Sequence, residues 1–169
     1  MYRKVITYTD FNGNEKTKTF YFNLTRPELV EMKRSPIVEM QYIIERVRSM
    51  KDPENELTLE EKDEIQEKMG GILRDLVIQS YGVKSEDGET FSKRLNGSKF
   101  GAGEAFVESM AYDALYMEMI SDIKNLINFV RAVIPVSVNQ ELENNPEFKA
   151  GLKELNSMGV NTDEITEVK

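Results

Sequence analysis

Catalysis and metal binding need side chains that hold or move a proton, attack a carbon or coordinate an ion. The chain of 169 residues contains no histidine and no cysteine. A Ser-His-Asp triad, a Cys-His pair and an imidazole or thiolate zinc site are therefore excluded. A disulfide framework is excluded too, which fits a reducing compartment. The acid–base groups that remain are carboxylates, lysines and tyrosines. "DFNGNEKTKTFY" places Asp10, Asn12 and Asn14 at calcium-loop spacing. The sixth position, however, is Glu15 where such a loop needs glycine, and the twelfth is Tyr21 where it needs glutamate. "DPENELTLEEKDE" gathers carboxylates, but acids near the positive end of a helix account for them without a site. "NGSKFGAG" holds Gly, Ser and Lys, yet the lysine does not follow a second glycine as a P-loop requires. Gly101-Ala102-Gly103 lacks a third glycine and a preceding strand, so the segment reads as a loop. No catalytic residue, metal or cofactor is expected.

The formal charge is −8. A chain this acidic repels phosphate, so nucleic acid is not an expected partner. There is no run of roughly 18 apolar residues, so no membrane span is expected, and the opening "MYRKVITYTDFNGNEK" lacks the apolar stretch of a secretory leader. The charge is uneven: residues 1–23 carry +2 and residues 136–169 carry −4.

Residues 1–23 read as a β-hairpin turning at Asn12-Gly13. A two-residue turn would scatter the apolar residues over both faces. A three-residue loop with Gly13 in the left-handed region gathers Tyr2, Ile6, Tyr8, Phe20 and Phe22 on one face. One buried face is what sets register, so the second arrangement is expected. A lone hairpin is marginal in water, so that face must rest on helices or on another subunit.

Residues 25–135 read as helices. Thr25 with Glu28, and Thr58 with Glu61, form capping boxes. Pro36 sits at a first helical position. Ile37, Met40, Ile44 and Val47 recur at helical spacing, widened by Ile43 and Met50, before a polar break around Pro53. Ile65, Met69, Ile72, Leu73 and Leu76 form the next stripe. Gly70-Gly71 interrupts it, which either weakens the helix or allows close helix–helix approach or a kink. A small hairpin at Asp87-Gly88 is compatible with the loop that follows. Ile123, Leu126, Ile127, Val130 and Val133 share a face of a later helix that Pro135 ends. Beyond it, residues 136–169 form an acidic tail with a weak helix from Asn145-Pro146, carrying Phe148, Leu152 and Leu155 on one side. The expected fold is mainly α: an N-terminal β-hairpin, a bundle of about four to five helices in a domain over 1–135, and a weakly structured C-terminal tail.

"GEAFVESMAYDALYMEMISD", 103–122, reads as one helix with two apolar faces. Phe106, Met110, Ala114 and Met117 share one; Tyr112, Leu115, Tyr116 and Met119 share the other. A helix apolar all round is buried on all sides or has one core face and one partner face. Methionine suits adaptable binding surfaces. The expectation is that the Phe106–Met110–Met117 face lies inside and the Tyr112–Tyr116–Met119 face meets a partner, with the reverse order as the alternative.

"EAFVESMAYDALYMEMISD" followed by "NFVRAVIP", with "KTFYFNLTRPELVEMK" upstream, resembles the tail assembly chaperones of long non-contractile-tailed bacteriophages. The resemblance covers roughly residues 1–135. The chain departs from the family pattern at Arg131-Ala132, where a small "NG"-like pair is usual, and the tail has no counterpart there. The resemblance implies a mostly helical, non-enzymatic protein of the infected cell's cytoplasm, absent from the mature virion. It implies a chaperone that coats the tape measure protein, oligomerises head-to-tail, recruits tail tube protein and in many phages has a longer frameshift product. On this reading Tyr112, Leu115, Tyr116, Met117 and Met119 are candidates for partner binding. Tyr2, Ile6, Tyr8, Phe20 and Phe22 are candidates for self-association. The rival readings are a structural tail completion or adaptor protein of the virion, a small carboxylate–metal enzyme, and a regulatory domain that binds a peptide helix.

Overall fold

The turn at Asn12-Gly13 forms as expected. In the computed structural model, which describes residues 1–33, 35–49, 58–95 and 101–157, strand β1 (Tyr2–Thr9) pairs antiparallel with β2 (Glu15–Phe22). Tyr2 faces Phe22, Lys4 faces Phe20 and Tyr8 faces Lys16. Gly13 has a φ of +81°, and its N–H donates to the Asp10 carbonyl at 2.9 Å. This is the three-residue loop, with Ile6 and Phe22 buried and Tyr2, Tyr8 and Phe20 packed on the core.

The residues at calcium-loop spacing build the turn itself. The Asp10 carboxylate accepts from the Asn12 and Asn14 backbone N–H groups at 2.9 and 3.0 Å and pairs with Lys16 at 2.6 Å. The Lys16 hydrogen bond first, then the Asn14 amide, hold its pKa down to about 2. Because the folded value lies below the unfolded one, this support is complete above about pH 4 and is lost as pH falls toward the folded pKa. Amide exchange should show Asn14 losing protection over that acid range while the ladder at the Phe22 end keeps its own. Unchanged protection of Asn14 would show that the carboxylate does not hold the turn.

The hairpin is not alone. Strand β3 (Tyr81–Lys84) adds to β2, with Tyr81 opposite Phe22, and β4 (Phe91–Ser92) follows through a turn in which Gly88 has a φ of +76°. The Asp87-Gly88 hairpin therefore forms and extends the first. The strand order is β1-β2-β3-β4, so β1 is an edge strand.

Both capping boxes are present. Thr25 starts α1 (Arg26–Glu31) and Thr58 starts α3 (Leu59–Ser80). Between them α2 (Pro36–Ser49) begins at Pro36 and buries Met40, Ile43 and Ile44. The α3 stripe is buried as read, with Val77 added. The expected single helix over 103–122 is instead two: α4 (Ala102–Val107) and α5 (Met110–Ser121). Ser109 breaks it. Its hydroxyl donates to the Phe106 carbonyl at 2.7 Å and accepts from the Tyr112 N–H at 3.3 Å, so it caps α5 instead of continuing α4. Helix α6 (Ile123–Val133) is capped by Asp122 and buries Leu126, Ile127, Phe129 and Val130.

The tail is more structured than expected as far as Ser157. Helices α7 (Val136–Asn144) and α8 (Pro146–Ser157), the latter where a weak helix was expected, bring the total to eight among the described residues; the six before Pro135 exceed the four or five expected there. They bury Val138, Leu142, Phe148 and Leu152. Gly151 lets α8 close on α2, since a Cβ there would stand 2.7 Å from the Ile44 methyl. Arg131, which departs from the family pattern, is buried and pairs with Glu143 of α7 at 2.7 Å. The Asn139 amide donates to the Arg131 carbonyl at 2.7 Å. Packing therefore does not stop at Pro135. Met50, the Pro53 break, the 96–100 part of the glycine-containing loop and the last residues of the tail lie outside the described residues, as do the side chains of Val47 and Leu155.

Candidate binding groove

Gly70 settles what the glycine pair does. A Cβ on Gly70 would lie 2.7 Å from the Tyr116 hydroxyl, so the bare backbone of α3 admits the Tyr116 ring of α5. Gly70 thus serves close approach, and α3 runs through the glycine pair unbroken. Beside this contact, between α3 and the α4–α5 corner, runs an open groove of about 630 Å³. Half-buried Val107, Met110, Tyr112 and Tyr116 form its apolar lining, and exposed Glu67, Arg74, Glu108 and Asp113 its charged one. Phe11, at the hairpin tip and 80% exposed, borders it from the sheet side. Tyr112 stacks edge-on to Phe106 at 6.2 Å and leans on Tyr116 at 6.0 Å, which fixes the aromatic wall. Burial raises the Tyr112 hydroxyl's pKa, so it stays a neutral hydrogen-bonding group at physiological pH.

The two expected faces of the 103–122 segment are redistributed. Tyr112 and Tyr116 line the groove, and Met117 stands 57% exposed on the same helix. Leu115 and Met119, expected at a partner face, are buried at 0% and 2% exposure. The expectation that Met117 points inward with Phe106 is overturned, because the break at Ser109 removes the common helical phase that linked them. Phe106 itself is buried, as expected.

The five hairpin residues read for self-association face the chain's own helices. Tyr2 meets Phe129 edge-on at 5.7 Å, Phe20 meets Phe106 at 5.0 Å, and Phe22 is fully buried. The surface the hairpin offers outward is its other face, where Val5 is 51% exposed, and the edge of β1.

The groove residues not read from the sequence include Phe11, Glu67, Arg74, Glu108 and Asp113. An aromatic beside a hairpin's Asn-Gly turn signals an exposed tip, but nothing local shows where that tip comes to rest. Among the described residues no cluster of three or more acids is placed to hold a metal, and no helix is long and apolar enough to cross a membrane.

A family model described as a phage tail assembly chaperone matches residues 1–168. Neither a curated protein nor a solved structure matches. The family match takes in the hairpin, all eight helices and the tail beyond Pro135, further than the quoted motifs reach. This chain belongs to the phage tail assembly chaperone family.

Proposed function

We propose that the chain keeps the tape measure protein soluble by holding segments of its long helix against the α3–α5 groove, and that it recruits tail tube subunits to that complex. Family membership implies a non-enzymatic role. The groove is the observation that supports the finer reading: it is open, aromatic and methionine-lined, with Met117 exposed on the same helix. A helix with an apolar stripe aggregates in water unless that stripe is covered, and a groove presenting Met and Tyr accepts varied apolar side chains. Coating a rod calls for head-to-tail contacts that propagate. The edge of β1 and the outer sheet face with Val5 are where such contacts would form, since the inner face is closed. On this reading the protein acts in the host cytoplasm and leaves before the virion is complete.

The test is co-expression with the tape measure protein of the same phage. Met117 is exposed, so Met117→Asp should fold as the parent does. It should recover at least about tenfold less soluble tape measure protein, since a charge in the apolar contact is left desolvated. Equal recovery with a normal melting curve would remove this part of α5 from the binding surface.

A further inference from the structure

The charges along the groove are unbalanced and uncommitted. Glu67 of α3, Glu108 at the α4–α5 break and Asp113 of α5 line it against the single guanidinium of Arg74. All four are exposed, and none takes part in an ion pair among the described residues. Two other charges of α3 are paired, Glu61 with Arg46 and Lys68 with Glu39. The charges facing the groove stand open. The acidic row continues beyond it, because Glu60 and Asp63 precede Glu67 at helical spacing and are also exposed.

Carboxylates set around an apolar channel repel one another and reject an acidic ligand, while a cationic ligand relieves that repulsion. An α-helix is about 10–12 Å across with its side chains. Seated by its apolar stripe on Met110, Tyr112 and Tyr116, it would bring its flanking residues to the carboxylates on either wall. We propose that the groove selects an amphipathic helix carrying Lys or Arg along both borders of its apolar stripe. This rests on the groove being a helix site, as argued above, and adds the charge that decides which helix enters.

The experiment uses the full chain and two synthetic helical peptides with the same apolar stripe, one flanked by lysines and one by glutamates, with binding read by fluorescence anisotropy. The lysine peptide should bind at least about tenfold more tightly, and raising the salt should shrink that advantage. The double variant Glu67→Lys/Asp113→Lys should reverse the preference. Glu86→Lys/Glu89→Lys, the same charge change on exposed residues of the β3–β4 turn, should not. Equal binding of the two peptides overturns the charge selection but leaves the groove as a helix site. Failure of both peptides to bind overturns the groove reading itself. A lysine peptide whose affinity drops equally in both double variants is responding to net charge, and that too overturns the proposal.

Discussion

Phe22→Ala is expected to destabilise the protein by about 4 kcal/mol, in the range for deleting a buried phenylalanine. Phe22 has no exposed surface and is the last residue of β2. Its ring meets Phe129 of α6 edge-on at 5.2 Å and Phe106 of α4 at 5.9 Å. It also contacts Tyr81 of β3 at 5.7 Å and Tyr2 of β1 at 6.4 Å. One side chain thus joins three strands to two helices. Its removal leaves a cavity that no single neighbour can fill, because each is fixed by a different element. For a chain of this size the melting temperature should fall by roughly 10 °C. Phe11→Ala, at an 80% exposed position, is the matched control and should leave the curve in place. A loss below about 1 kcal/mol for Phe22→Ala would mean that the hairpin is not docked on the helices.

Gly103→Ala is the second large effect, by the opposite mechanism. Gly103 is buried in the first turn of α4, and a Cβ there would run into the backbone of Ile78 in α3, its carbonyl oxygen first. Ile78 lies in the last turn of α3, held by the helix on one side and by β3 directly after it on the other, so α4 would have to lift. Lifting it pulls the Phe106 ring from Tyr81, on which it stacks at 4.5 Å. Overpacking of this kind costs about 3 kcal/mol. Two residues earlier, a Cβ on Gly101 would meet mainly the Glu104 carboxylate, which can rotate away, and the Lys93 carbonyl at 3.2 Å. Gly101→Ala should therefore cost about 1 kcal/mol or less. Urea melts of the two variants compare them directly. Equal stabilities would show that α3 and α4 do not approach as closely as the structure places them.

The hairpin register was legible because Tyr2, Ile6, Tyr8, Phe20 and Phe22 can share a face in only one pairing, and a slip by one residue would expose them. Helix starts were legible at Thr25, Pro36 and Thr58 because capping chemistry is local. The pairing of β2 with β3 was not, since it joins Tyr21 to Gly82, far apart in the sequence, and Tyr81–Lys84 has no alternation long enough to announce a strand. The split at Ser109 was missed because apolar residues on all sides made a continuous helix look self-consistent. Serine's competing hydrogen bonds were the available sign. That one miss accounts for the misplaced Met117 and for Leu115 and Met119 being read as surface. In the tail, Phe148 and Leu152 were seen on one side of a weak helix. What seats that helix is contact with α2 and α7, and α7 is tied to α6 by the Arg131–Glu143 pair; no local pattern carries either.

The groove between α3 and α5 holding a tape measure helix is the central claim, and site-specific photocrosslinking tests it most directly. A photoreactive amino acid at position 117, in cells that also express the tape measure protein, should give a chaperone–tape measure adduct. The same probe at Val30, which is exposed on α1 and not on a helix that lines the groove, should not. An adduct from position 30 with none from position 117 would contradict the account and move the binding surface elsewhere on the molecule.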